Sequence, residues 1–136
     1  MNSLISAVLL LQFFAVSIAN HISVGNTFAA AVEYQSLLSA EVTDEPGTVT
    51  AIPTRSTLIV MAHYGFAGTA FHSFRRGDLV SFFDADGIEH RYVLTRSWTR
   101  AGPPLISISR RTAIVFVTCT DMSGTETLYW AGQRLK

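Results

Sequence analysis

Residues 79 to 94, LVSFFDADGIEHRYVL, form the stretch that decides the fold of this chain. Leu79 to Phe83 and Glu89 to Leu94 are rich in the aromatic and branched side chains that favour strands. Between them, Asp84-Ala85-Asp86-Gly87 ends in an Asp-Gly step, which supplies the positive φ that a tight turn between antiparallel strands requires. The pattern therefore predicts a β-hairpin.

Short segments with strand-like patterns continue on both sides of this hairpin. Each is apolar or alternates between apolar and polar residues, and turn residues separate one from the next. The segments are Ile22–Val24, Thr48–Ile52, Ser56–Met61, Ala113–Thr118 and a last strand that begins at Leu128–Trp130.

One segment favours a helix. Ala30 to Val42 (AAVEYQSLLSAEV) places Val32, Leu37 and Leu38 near one helical face and ends before Glu45-Pro46-Gly47. Several short strands with one helix predict a mostly β protein, a small and mainly antiparallel barrel or sandwich.

Composition limits the function classes. The chain has 136 residues, which fits one domain, and ten basic and ten acidic residues give a formal net charge of zero. Without a basic surface we expect no nucleic-acid partner. The one cysteine, Cys119, excludes an internal disulfide and a zinc site built from paired thiolates. Its thiol is therefore buried, free and reactive, or paired with another chain.

The amino-terminal segment avoids charge. Leu4 to Ala19 is almost wholly apolar, and no charged side chain precedes Glu33. A signal peptide has an apolar core of roughly 7 to 15 residues before small residues, whereas a spanning helix needs about 20. Ser17-Ile18-Ala19 fits a cleavage site, although no basic residue precedes the core. We predict that residues 1–19 are a signal peptide or membrane anchor and that residues 20–136 are the folded domain. A buried element of the domain is the alternative.

Three segments, in their order along the chain, resemble the sortase family. They are the strand TLIVMAH, which ends at His63, the segment FHSFRRGD from Phe71 to Asp78, and the strand FVTCT around Cys119. In sortases a strand ends at the catalytic histidine, an F-x-x-L-x-x-G-D segment opens the next hairpin, and a T-L-x-T-C strand presents the nucleophile. The next strand carries an arginine. The resemblance covers residues 56 to 136.

The resemblance implies a closed β-barrel with one or two short helices and an exported cysteine transpeptidase. Its catalytic residues would be Cys119, His63 and Arg134, with Thr118 contacting substrate. A thiolate attacks an amide, an imidazole protonates the departing amine, and a guanidinium stabilises the oxyanion. The resemblance implies a C-terminal sorting signal of the Leu-Pro-x-Thr-Gly type, cleaved after Thr to a thioester that an amine resolves.

The resemblance also implies partners and a location. The substrate would be a surface protein or pilin that bears the sorting signal, and the acceptor would be an amine of the cell wall or of a pilin. No cofactor is expected. The protein would act outside the cytoplasm, exported or anchored at the outer face of the cell membrane.

Each candidate residue also has a structural interpretation. Free cysteine is among the most buried residue types, a histidine such as His63 can cap a strand, and Arg134 lies near a chain end where side chains are usually solvated. His72 and His90 are expected to make structural or solvent contacts. A metal site of His63, His72 and His90 is disfavoured, since no pair has ligand spacing on a helix and no carboxylate is tied to them.

Two other function classes therefore stay open. One is a non-catalytic secreted sortase-like β-domain used for binding or assembly. The stretch TRAGPPLISISRR, residues 99–111, favours it because sortases usually carry a longer substrate-facing loop there. The other is an unrelated small β-barrel that binds a ligand and buries Cys119.

Overall fold

The computed structural model describes residues 19–38, 41–104 and 112–136. These residues form eight strands and a short 3₁₀ helix, Ala67–Ser73. The strands are β1 His21–Val24, β2 Phe28–Tyr34, β3 Thr48–Pro53, β4 Leu58–Met61, β5 Leu79–Phe83, β6 Glu89–Ala101, β7 Ile114–Cys119 and β8 Glu126–Arg134.

The strands close into one barrel in the order β1-β2-β3-β4-β7-β8-β6-β5. β2 pairs in parallel with β3, and β4 pairs in parallel with β7, whereas the other neighbours are antiparallel. The predicted closed β-barrel with a short helix is confirmed. Within the described ranges, no helix has the length and apolar character needed to cross a membrane.

The predicted hairpin is present. β5 pairs with β6 from Leu79 opposite Val93 to Phe83 opposite Glu89, and Gly87 has a φ of 76°. The Asp84 carboxylate accepts hydrogen bonds from the backbone N–H groups of Asp86 at 2.9 Å and Ile88 at 3.0 Å. This side chain therefore replaces the backbone partners that the turn leaves unpaired.

The predicted helix from Ala30 to Val42 is wrong where the structure describes it. Phe28 to Tyr34 is strand β2, with Phe28 and Ala30 buried and their neighbours Ala29 and Ala31 exposed. β1 and β3 pair with both edges of this segment, and that pairing outweighs its weak helical pattern. Leu37 and Leu38, which suggested the helical face, are exposed. Residues 39–40 lie outside the described ranges.

Alternation along β7 separates the two faces of the barrel wall. Ile114 and Phe116 pack in the inner core, whereas Val115 and Val117 pack in an outer cluster with Tyr129 of β8. Side chains two residues apart share a face of a strand. Cys119 therefore belongs to the outward series, although the continuous apolar sequence of β7 does not reveal this.

The 3₁₀ helix packs aromatic rings into the barrel beside β7. Phe71 is fully buried and stacks on Phe74 with ring centroids 5.2 Å apart. Both rings meet Phe116 edge-to-face, at 5.2 Å and 5.1 Å. The same segment places His72 against the end of β7, as described below.

Residues 1–18 lie outside the described ranges. The division into a signal peptide or anchor, residues 1–19, and a domain, residues 20–136, therefore stays a prediction.

Candidate active site

The parallel pair β4 and β7 brings His63 and Cys119 together. Its register runs from Leu58 opposite Ile114 to Met61 opposite Val117. His63 and Cys119 each follow two residues after that last pair, and adjacent strands lie about 4.8 Å apart. Two residues that are far apart in sequence thus become neighbours at one end of the barrel.

These two side chains share an open cavity of about 360 Å³ on the outer face of the barrel. Cys119 is half-buried, and the His63 side chain is 46% exposed. The thiol is therefore free and accessible, and it is not a core residue. The lining residues are Asp44, His63, Tyr64, Phe66, Cys119, Asp121, Met122 and Gly124.

A carboxylate lies beside the histidine. The Oδ1 atom of Asp44 is 3.4 Å from Nε2 of His63, and the Asp44 side chain is 87% exposed. An exposed pair of this kind contributes little stability, but it favours an imidazole orientation in which Nε2 faces the carboxylate. The expectation that no carboxylate accompanies the histidines is wrong here, because the loop before β3 carries Asp44 to this end of the barrel.

His72 holds the backbone of the cysteine. Its Nε2 donates to the carbonyl oxygen of Cys119 at 3.1 Å, and its ring meets the Tyr64 ring edge-to-face at 5.6 Å. The structural contact expected for His72 is thus present. It links the 3₁₀ helix to the residue that ends β7.

Thr118 does not contact the cavity. It is only 2% exposed, and a Cβ added to Gly68 would collide with its Oγ1 atom. That hydroxyl has no hydrogen-bond partner among the residues that the structure describes. The expected substrate contact by Thr118 is wrong, because alternation along β7 turns its side chain inward when Cys119 faces outward.

The structure places Arg134 away from Cys119 and His63. β8 runs antiparallel to β7 with Thr127 opposite Cys119, and Arg134 ends β8, roughly 20 Å from Thr127 at about 3.3 Å per residue. Arg134 also pairs with Tyr92, an inner-core residue, and so belongs to the inward series of β8. The expectation that Arg134 joins Cys119 and His63 is wrong. The order of strands along the sequence does not show which end of β8 lies beside Cys119.

Arg100 lies level with the cysteine instead. Thr127 is opposite Cys119 on one side and opposite Arg100 of β6 on the other, so the three side chains share the outer face. Arg100 is exposed. Because β8 lies between them, β6 and β7 are about 10 Å apart, which is two strand spacings. No motif in the sequence singles out Arg100. The alternation of Arg96, Trp98 and Arg100 beyond the hairpin is the signal that could have extended β6 to it.

The cavity is acidic apart from His63. A hydrogen bond from the Ser123 hydroxyl, and next the Ser123 backbone N–H, hold the pKa of Asp121 below its ordinary value. Asp121 and Asp44 are therefore two carboxylates at the edge of the site. Among the described lining residues His63 is the one basic side chain.

Comparisons with known proteins agree with this architecture. No family model matches the chain, and no curated protein sequence matches it. Clostridium perfringens sortase C with the C-terminal cell wall sorting motif is 17% identical at a TM-score of 0.65, over 85% of this chain and 69% of that one. Listeria monocytogenes sortase A is 14% identical at 0.67, over 85% and 86%. Streptococcus agalactiae sortase C1 is 13% identical at 0.66, over 86% and 67%. This chain therefore has the sortase fold.

Proposed function

We propose that the protein is a sortase-type cysteine transpeptidase or peptidase in which Cys119 is the nucleophile and His63 the acid and base. One observation carries the proposal: the half-buried thiol at the end of β7 and the imidazole two residues after the end of the neighbouring parallel strand β4 share one open cavity. The fold is that of sortases, and one similar sortase C was solved with a C-terminal cell wall sorting motif.

The proposed reaction uses these two side chains on the substrate type that the resemblance to sortases implies. The Cys119 thiolate attacks the threonine carbonyl of a Leu-Pro-x-Thr-Gly segment, and the carbonyl oxygen becomes an oxyanion. When the oxyanion collapses, the carbon–nitrogen bond breaks and protonated His63 donates its proton to the departing glycine amine. A second amine then attacks the thioester, His63 accepts the amine's proton, and the thiolate leaves. The product is a new amide, or a carboxylic acid where water replaces the amine.

The oxyanion needs a donor, and Arg100 is the best-placed guanidinium among the described residues. It lies on the outer face level with Cys119, and its side chain must extend across the small Thr127 to reach the reacting carbonyl. Developing charge beside a partly buried thiol is stabilised by a donor of this kind.

The proposed partners rest on the likeness to sortases, and the proposed location rests on that likeness and on the apolar amino-terminal segment. The substrate is a surface protein or pilin with a C-terminal sorting signal, and the acceptor is an amine of the cell wall or of a pilin. The apolar Leu4 to Ala19 segment exports the protein or anchors it at the outer face of the membrane.

Alkylation of the thiol tests the roles of Cys119 and His63. Cys119 should react with iodoacetamide at pH 7 faster than a free cysteine, and His63→Ala should slow the reaction or change its pH profile. His21→Ala, on β1 and outside the cavity, is the matched control and should react like wild type. Equal alkylation rates in wild type and His63→Ala would remove His63 from the mechanism.

Arg100→Gln tests the oxyanion donor. Loss of one such donor lowers turnover of a labelled Leu-Pro-x-Thr-Gly peptide by roughly 10² or more, with a smaller effect on binding. Arg91→Gln is the control, since Arg91 lies exposed on the same strand toward its opposite end. If Arg100→Gln and Arg91→Gln cleave the peptide equally fast, Arg100 is not the donor.

A non-catalytic domain for binding or assembly is the second candidate. The cavity lining favours it, because Asp44 and Asp121 oppose the build-up of negative charge and the described lining contains no guanidinium. Wild type would then match Cys119→Ala across sorting-type peptides and amine acceptors, and its thiol would react no faster than a free cysteine.

A further inference from the structure

The barrel has a second cavity, at the opposite end from Cys119. Its volume is about 370 Å³, and its walls include Phe82, His90, Tyr92, Leu58 and Arg134. Phe82, Tyr92 and Leu58 belong to the inner core, and Arg134 pairs with Tyr92, so these side chains point toward the barrel axis. The cavity is therefore the mouth of the barrel, a place where β-barrels commonly hold ligands.

The mouth is positively charged. Arg134 and Arg55 both line it, and no aspartate or glutamate is among the lining residues that the structure describes. Across residues 19–38, 41–104 and 112–136, neither guanidinium has a carboxylate within 4.0 Å. Two cations that meet at one concave surface without an anion leave their charge available to a ligand.

A chain of contacts orients the first guanidinium. The Asp84 carboxylate accepts a hydrogen bond from Nε2 of His90 at 2.8 Å, and an Nη atom of Arg134 lies 3.4 Å from Nδ1 of the same ring. The Arg134 guanidinium carbon is 5.9 Å from the centre of the Tyr92 ring. Asp84 thus fixes the imidazole, and the imidazole and the phenol ring hold the arginine in place without neutralising it.

The turn between β3 and β4 carries Arg55, the second arginine of the mouth. The backbone N–H of Thr54 donates to the carbonyl of Thr57 at 2.9 Å, and the Thr54 hydroxyl accepts from the Thr57 N–H at 3.0 Å. These bonds hold Arg55 and Ser56 at the tip of the turn, where both line the mouth. An anion at the mouth can therefore meet two guanidinium groups and a hydroxyl on a rigid frame.

We propose that this mouth binds a small organic anion, a carboxylate or phosphate carried on an aromatic or aliphatic body. The planar guanidinium of Arg134 binds two oxygens of the anion, and Arg55 approaches from the rim. The Phe82 and Tyr92 rings contact the apolar body. The site is separate from Cys119 and does not depend on the proposed transpeptidase activity.

Calorimetric titration of the full chain tests the site with four probes. Phenyl phosphate and benzoate carry both an anion and a ring, inorganic phosphate lacks the ring, and benzyl alcohol lacks the charge. We expect at least one of the two ring-bearing anions to bind, at least tenfold more tightly than inorganic phosphate and benzyl alcohol. Which of them binds more tightly distinguishes a phosphate site from a carboxylate site.

Substitutions locate the binding. Arg134→Gln and Arg55→Gln should each weaken binding of the preferred probe by roughly tenfold or more, as loss of a charged hydrogen bond does. Arg91→Gln, on the strand that carries His90 and Tyr92 but outside the mouth, is the matched control and should bind like wild type. Because Arg55 is on an exposed turn, its variant keeps the test decisive if Arg134→Gln fails to fold. Absence of binding by both ring-bearing anions, or equal binding by both arginine variants and wild type, would overturn the proposal.

Discussion

Gly68 is the residue whose replacement most directly tests how the fold supports the candidate active site. A Cβ at this position would collide with Oγ1 of Thr118 and would lie 2.7 Å from the carbonyl oxygen of His63 and 2.8 Å from that of Ala62. Two of these three neighbours are backbone atoms, which cannot rotate away. Gly68→Ala therefore forces the 3₁₀ helix away from the ends of β4 and β7.

The expected cost follows from this overpacking. Inserting a methyl group into a closely packed site costs about 1 to 3 kcal/mol. For a domain of this size, about 1 kcal/mol lowers the midpoint of thermal unfolding by roughly 3 to 5 °C. We expect the midpoint of Gly68→Ala to fall by about 3 to 15 °C, as measured by circular dichroism. Alkylation of Cys119 should change as well, because the displaced helix carries His72, the donor to the Cys119 carbonyl.

Two further variants make the test specific. Gly25→Ala adds a methyl group where no atom lies within 4 Å, but at a φ of +53°, so it should cost roughly 1 to 2 kcal/mol without changing Cys119 alkylation. Adding Thr118→Ala to Gly68→Ala should recover only part of the lost stability, since both carbonyl contacts remain. A Gly68→Ala protein that unfolds at the wild-type temperature and alkylates at the wild-type rate would refute this reasoning.

Three other outcomes are expected. Phe71→Ala removes a fully buried ring and should lower the free energy of unfolding by about 3 to 5 kcal/mol, measured by urea denaturation; a loss below about 1 kcal/mol would contradict the packing of the 3₁₀ helix against the core. The hydrogen bond from His90 is the largest cause that lowers the pKa of Asp84, so Asp84 stabilises the fold above its unfolded pKa of about 3.9 and this contribution is lost as pH falls through the lowered folded pKa. Carboxylate NMR titration should show the Asp84 pKa rising in His90→Ala, and an unchanged titration would argue against that hydrogen bond. Protein recovered from an exporting host should begin near Asn20 or stay with the membrane, whereas intact protein in the cytoplasm would count against the export signal.

Local patterns in the sequence predicted most of the barrel. The hairpin around Gly87 needs only a positive φ between two apolar runs, and both requirements are visible in the sequence. The same holds for β3, β4 and β7, whose apolar runs stop at turn residues. The sequence singles out His63 and Cys119 through the resemblance of their segments to sortase motifs, whereas the apolar runs alone do not; β4 ends two residues before His63, and β7 ends at Cys119.

Pairing between distant segments decided what local patterns could not. Ala30 to Tyr34 has a weak helical pattern, yet it is a strand because β1 and β3 supply hydrogen-bonding edges on both sides. Asp44 reaches His63 from the loop before β3, and His72 reaches the Cys119 carbonyl from the 3₁₀ helix. Neither contact is visible in a local pattern.

The positions of the arginines show the same limit most clearly. Arg134 follows the cysteine strand in the chain, but the antiparallel register carries it to the far mouth of the barrel, and alternation turns it inward. Arg100 precedes that strand, yet two successive pairings bring it level with Cys119. Local composition indicates where a strand lies and which side chains it carries. Register, strand direction and the closure of the barrel depend on contacts between residues far apart in the chain, and only the tertiary structure determines them.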